Sequence, residues 1–225
     1  MTPQRSDLIL YIGEKNISSW SMRGFLAVLH KDVPFQEQEI SLPADKTRVR
    51  RREVSPTGKV PVLHHVREEG RLVLPDSLAI MEYLEETFPP PAHPAIWPQE
   101  PMRRARARWL AAAMHSGFAQ LRESMSFNLC FLPEPPPATP AALAEAAEIL
   151  QLWESELLVH GGPFLCGEYG GADMMFAPVV WRLTAFRVPT GSTPRAAAYM
   201  KRMLEHPHVR RWMDPALVLP PVTGY

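Results

Sequence analysis

The segment Phe88-Pro89-Pro90-Pro91 through Trp97-Pro98 divides this chain in two. Each proline removes a backbone donor and fixes φ, so the segment suits neither a helix nor a central strand and reads as a linker. Before it, strand-type and helix-type patterns alternate; after it, the pattern is helical only. Proline makes up 25 of 225 residues, about twice the usual ~5%, and its clusters punctuate the chain elsewhere too. A chain of this length buries a real core in one or two domains. The expected division is residues 1–88, a linker over 89–100, and an all-helical part over 101–225.

Ahead of the linker, Leu8-Ile9-Leu10-Tyr11-Ile12 reads as a buried strand ending at Gly13. Cap-type residues (Asn16, Ser18, Ser19) then precede a helix with Met22, Phe25, Leu26 and Leu29 at helical spacing. Phe35 to Ile40 alternates as a second strand, and the polar, basic stretch Pro43 to Glu53 reads as a loose helix. A strand over 60–66, a turn at Glu68-Glu69-Gly70 and a strand at Leu72-Val73-Leu74 follow. Asp76 or Ser77 caps a helix striped by Ile80, Met81, Leu84 and Phe88. The order β-α-β, helix, β-β-α gives a parallel pair with a right-handed crossover plus an antiparallel hairpin. That is the thioredoxin-like arrangement. Helices are expected over 101–128, 140–159, 172–187 and 194–205, with a short one near 207–217 and a tail from Pro220 with little reason to pack. The fold class is therefore α/β plus all-α: a thioredoxin-like unit followed by a helical bundle.

The stretch Ser55-Pro56-Thr57-Gly58-Lys59-Val60-Pro61-Val62-Leu63 holds a proline where a strand should begin. A cis Val60–Pro61 peptide, which only proline makes cheap, would turn the Val60 backbone outward to pair with an extended peptide. An ordinary turn before a strand is the plainer alternative.

Lys+Arg equals Asp+Glu at 24 each, so nothing calls for nucleic acid or an anionic membrane as partner. No apolar run reaches spanning length, and the N-terminus has no signal-peptide core. Cys130 and Cys166 form neither a CxxC motif nor a disulfide framework. A cytoplasmic protein with no metal is the expectation.

Four signatures, in order, resemble the glutathione transferase family: Asn16-Ile17-Ser18-Ser19-Trp20-Ser21-Met22-Arg23, Gly58-Lys59-Val60-Pro61-Val62-Leu63, Pro75-Asp76-Ser77-Leu78-Ala79-Ile80 and Gly171-Ala172-Asp173. The resemblance covers nearly the whole chain. The serine-rich first motif is most similar to bacterial, serine-type, zeta-like members. Zeta members carry a cysteine between serines, where this chain has Ile17 and Ser18.

The resemblance implies a transferase that directs the thiolate of glutathione, as co-substrate, at a small hydrophobic electrophile by conjugation, isomerisation or peroxide reduction. It also implies a homodimer with a role in detoxification. A free thiol of pKa about 8.5 is only about 3% ionised at neutral pH, so a hydroxyl donor at a helix N-terminus has work to do. Ser18 is the favoured donor, with Ser19 as a cap; the reverse assignment is the alternative. Val60 and Pro61 would receive the cysteinyl backbone, and Asp76 and Ser77 the γ-glutamyl end. Most relatives have Glu in place of Asp76. Lys46, or one of Arg48, Arg50, Arg51 and Arg52, would hold the glycyl carboxylate, although such a run is also a solvated face.

Met114, His115 and Phe118 share a face of the expected long helix and would form the second-substrate pocket, with His115 as an acid or donor or simply structural. The run Arg103, Arg104, Arg106 and Arg108 faces solvent or a second subunit. Trp109, Trp153 and Trp181 are core candidates. Asp173 resembles the family's capping residue, but Gly170 stands where a hydroxyl is normal. The alternative function is a non-catalytic glutathione-binding or protein-interaction module that kept the fold.

Overall fold

A computed structural model describes residues 7–42, 45–130 and 135–220, with the side chains of 45–48 left aside. The first half holds β1 (Leu8–Ile12), α1 (Ser19–His30), β2 (Gln36–Glu39), α2 (Asp45–Val54), β3 (Val62–Arg67), β4 (Gly70–Leu74) and α3 (Ser77–Thr87). The strands form one sheet in the order β2-β1-β3-β4. β1 runs parallel to β2, with Leu10 beside Glu37. It runs antiparallel to β3, with Leu10 beside Leu63, and β3 and β4 form the hairpin. This is the expected thioredoxin-like order, and the Val60–Pro61 peptide is cis.

The second half is helical: α4 (Pro101–Ser116), α5 (Ala119–Ser124), α6 (Pro140–His160), α7 (Gly171–Ala185), α8 (Pro194–Glu205) and α9 (Pro207–Ala216). The single helix expected over 101–128 is two. Gly117 ends α4 in extended backbone, and Phe118 adopts the left-handed region at φ 56°. A Cβ at Gly117 would lie 2.7 Å from the Ala113 carbonyl oxygen, so glycine there lets the chain turn tightly over the helix end. Among the described residues no helix is long and apolar enough to cross a membrane.

One apolar cluster runs through both halves. At its centre is α1, which packs on α3, α7 and α9 and buries an unbroken run from Ser21 to Val28. Two cations lie fully buried at its faces. Arg23 donates from Nε to the Met175 carbonyl (2.8 Å), and Lys31 reaches Glu85 (2.5 Å) and the Pro94 carbonyl (2.9 Å).

The basic run on α4 stays largely exposed, and two of its arginines make ion pairs within the chain. Arg106 pairs with the buried Glu156 of α6, and Arg108 makes two bonds to Glu82 of α3 (3.0 and 2.8 Å). Arg104 is tied to the Gln99 carbonyl. Trp153 is core as expected, and Trp181 is half-buried with its indole donating to the Asn128 carbonyl (2.7 Å). Trp109 is not core: it is exposed, under the Arg106 guanidinium at 4.1 Å.

At the start of α7, Asp173 accepts from the backbone of Gly170 (3.0 Å) and Leu165 (3.1 Å), supplying one arm of a cap. The missing hydroxyl arm has a steric cause, since a Cβ at Gly170 would sit 2.7 Å from the Ile96 carbonyl oxygen. Burial raises the Asp173 carboxyl to about 7, with its backbone bonds opposing the shift. The tail packs at least as far as Pro220, whose carbonyl accepts from Asn16 Nδ2 (3.0 Å); residues 221–225 lie outside the described part.

Candidate functional site

Three chain segments that end or begin at the same edge of the fold enclose a cavity of about 550 Å³. The loop into α1 contributes Ile17, Ser18, Ser19 and Trp20. The turn before β3 contributes Gly58, Lys59, Val60 and Pro61. The start of α3 contributes Pro75, Asp76 and Ser77, while Leu42, Arg51 and His115 complete the wall. A volume of this order suits a ligand the size of a short peptide.

At the first segment, Ser18 occupies the N-cap position of α1 but makes no side-chain cap bond. Its hydroxyl lies 2.7 Å from Ser21 Oγ, which also accepts from the Gly13 N–H (2.9 Å). Ser19 is the first helical residue, and it too caps nothing: its Oγ accepts from Arg182 Nη2 of α7 (3.3 Å). The first N–H groups of α1 have no partner within the helix. Ser18, Ser19 and Trp20 thus line the cavity at the positive end of a dipole.

Asp76 caps α3 through one oxygen only. Oδ1 accepts from the Leu78 and Ala79 N–H groups (both 2.9 Å), while Oδ2 lies 3.2 Å from His115 Nε2 across the cleft. Ser77 is buried, and its Oγ has no hydrogen-bond partner among the described residues. A buried, unpartnered hydroxyl beside the Ser77 N–H, the one first-turn amide that Asp76 does not cap, is a receptor for an anionic oxygen.

Of the trio expected for a second pocket, only His115 lines the cavity. Met114 is fully buried in the core. Phe118 stands past the end of α4, so the i, i+4 relation to Met114 that would put it on the His115 face does not exist; it packs half-buried on the core. His115 sets its ring edge against Trp20 at 5.2 Å.

The side chain of Lys46 lies outside the described residues. The cations lining the cavity are Arg51, whose Nη1 holds the Leu42 carbonyl (2.8 Å), and Lys59. Sequence reasoning gives no role to Lys59, Trp20, Ser21 or Arg182. Lys59 stands inside the turn motif and Trp20 and Ser21 inside the serine-rich one; Arg182 had no signal. Among the described residues no group of three or more histidine, cysteine or acidic side chains could hold a metal ion.

The geometry agrees with what comparison finds. The model of the glutathione S-transferase N-terminal domain matches residues 17–87, and that of the C-terminal domain matches 136–214. A probable maleylacetoacetate isomerase of Caenorhabditis elegans is 28% identical over 187 residues, covering 83% of each chain. A stringent starvation protein A homolog of Haemophilus ducreyi is 28% identical over 204 residues, covering 90% of this chain and 87% of its own. Among solved structures, a glutathione transferase homolog from Burkholderia GL BGR1 with bound glutathione superposes with a TM-score of 0.69 at 27% identity. It covers 95% of this chain and 98% of its own.

Proposed function

The chain belongs to the glutathione S-transferase family, and we propose that its cavity binds glutathione and turns the bound thiolate on a small electrophile. The observation that carries this reading is the convergence of Ser18, Val60, Asp76 and Ser77 on one cavity, where Ser77 Oγ is buried without a partner. The γ-glutamyl carboxylate takes that hydroxyl and the Ser77 N–H at the start of α3, and the ammonium takes Asp76 Oδ2. The Val60 backbone pairs with the cysteinyl residue. Arg51, one of the basic residues expected beside Lys46 for this part, or Lys59 answers the glycyl carboxylate.

The thiol then lies at the N-terminus of α1. Hydroxyl hydrogens rotate to suit their acceptors. With a thiolate present, Ser21 donates to Ser18 and Ser18 donates to sulfur, so a chain starting at the Gly13 N–H ends on the charge. Lowering the thiol pKa by about two units from about 8.5 makes it mostly thiolate at neutral pH. His115, beside Trp20, faces the electrophile.

The name of the Caenorhabditis elegans relative supports isomerisation as one activity to test. The same reading includes a cytoplasmic homodimer, favoured by exposed Met102 and Trp109 on α4 and Leu72 on β4. The decisive experiment is glutathione-dependent turnover across a panel holding an aryl halide, a hydroperoxide and a cis-unsaturated diketo acid. Turnover of at least one is expected. Retention on immobilised glutathione without turnover of any would leave a binding module.

A further inference from the structure

Arg182 sits on α7, far along the chain from the serine motif, yet it is buried at 4% exposure against that motif. Its Nε donates to the Met125 carbonyl at the end of α5 (2.8 Å) and its Nη2 donates to Ser19 Oγ (3.3 Å). The guanidinium lies 5.6 Å from the Phe127 ring. One cation thus joins α7 and the end of α5 to the first residue of α1.

Two more arginines stand with it. Arg23 is fully buried, its guanidinium 4.3 Å over the Trp20 ring, and its Nη1 and Nη2 have no hydrogen-bond partner among the described residues. Arg122 of α5 approaches the same ring at 5.7 Å. Burial first, then Arg182 and Arg122, hold the Arg23 guanidinium well below its usual range. Other charged or titratable groups facing this corner are His115 of α4, Asp76 at the start of α3, and Lys59 and Arg51 on the cavity wall.

The Ser19 hydroxyl accepts from a cation and lines the cavity beside Ser18. Accepting there leaves its own proton free for the open side, and a charge-assisted bond polarises that proton toward a further acceptor. A thiolate is such an acceptor. We propose that Arg182 is a positioning residue for the thiolate: it fixes Ser19 as a second hydroxyl donor and, with Arg23, places positive charge behind the N-terminus of α1. This rests on the reading that glutathione occupies the cavity with its thiol at Ser18. The helical half then contributes to thiol ionisation without touching the ligand.

The test is a titration of bound glutathione by thiolate absorbance in the full chain, comparing wild type with Arg182→Met, Arg182→Lys and Ser19→Ala. Affinity for S-methylglutathione, which has no thiol to ionise, is measured alongside. Arg182→Met is expected to raise the bound thiol pKa by about one unit, the size of effect of one nearby charge, with S-methylglutathione affinity unchanged. Arg182→Lys restores part of the shift. Ser19→Ala raises the pKa too, and adds nothing when combined with Arg182→Met, because both remove one arm. A well-folded Arg182→Met with an unmoved pKa overturns the proposal. Should that variant not fold, an unmoved pKa in Ser19→Ala overturns it alone. A wild-type chain that does not bind S-methylglutathione would instead bring down the reading beneath it.

Discussion

Asp76 and His115 meet across the cleft, with Oδ2 of one 3.2 Å from Nε2 of the other. The first belongs to the start of α3 and the second to the last turn of α4. The carboxylate serves two directions, holding its own helix through Oδ1 and the opposite wall through Oδ2. Asp76→Ala should therefore do two separable things. Loss of the cap lowers stability by about 1 kcal/mol, seen in the urea midpoint. Loss of the ammonium partner raises KM for glutathione far more than it lowers kcat, because that contact is equal in ground and transition states. Equal falls in kcat and kcat/KM would contradict a binding role.

His115→Ala should separate the two substrates. Asp76 Oδ2 is released, so KM for glutathione does not rise, while kcat/KM for the electrophile falls. A rise in glutathione KM alone would place His115 in the glutathione subsite instead.

Ser18→Ala removes a hydrogen bond to a charged group, worth about 1.5–3 kcal/mol. The bound thiol pKa should climb by about one to two units and the neutral-pH rate fall about three- to twenty-fivefold as the thiolate fraction drops, with partial recovery at higher pH. Ser21→Ala should shift the pH–rate profile in the same direction by less, since it removes the group behind Ser18. Because neither serine caps α1 through its side chain, a stability loss with an unmoved profile would refute the assignment.

Arg106→Ala should leave Glu156, whose side chain is only 5% exposed, with His160 at 3.4 Å as its remaining ion-pair neighbour. Breaking a fully buried pair by removing one partner costs about 3 kcal/mol; with Arg106 at 43% exposure and His160 still beside Glu156 the loss should be smaller than that, visible as a lower Tm. Adding Glu156→Gln should recover much of it; a second loss of similar size would mean that the pair is not coupled.

Acid should weaken the corner where His30, His206 and His208 meet Tyr169. Burial lowers all three imidazoles, His206 to about 4, with His208 and His30 adding repulsion there. Between about 6.5 and about 4 the unfolded chain binds more protons than the folded one, so their contribution is complete above this window and lost as pH falls through it. Asp173, raised to about 7, acts in the opposite sense: its folded form keeps a proton the unfolded chain has released, so its contribution falls as pH rises from about 3.9. Comparison with His206→Phe, which keeps a ring on Tyr169, cancels the Asp173 effect. The urea midpoint of the variant should gain on wild type as pH drops from about 6.5 to about 4; a constant gap would refute the assignment.

β1, β3 and β4 were legible as short apolar runs bounded by glycine and proline, β2 (Gln36–Glu39) only by alternation between Phe35 and Ile40, and the Val60 and Asp76-Ser77 stretches that line the cavity because each motif is contiguous. What stayed hidden lies in pairings across the chain. Gly170 and Gly171 read as a weak cap, yet a Cβ at Gly171 would come within 2.4 Å of the Trp97 ring. The break after Ser116 was masked by continuous helical periodicity through Gly117. The partners of Arg106, Arg108 and Arg182 are distant in sequence, so no local pattern could show them.

The burial of α1 between sheet and helices bears on how such a chain can be recombined. Its N-terminus forms part of the cavity wall, and its body is a shared internal surface of both halves. A chimera joined at the proline-rich linker would keep every motif around the cavity yet meet a foreign surface at Arg23, Met175 and Arg182. Such exchanges should succeed only when α1 and α7 are inherited from the same parent.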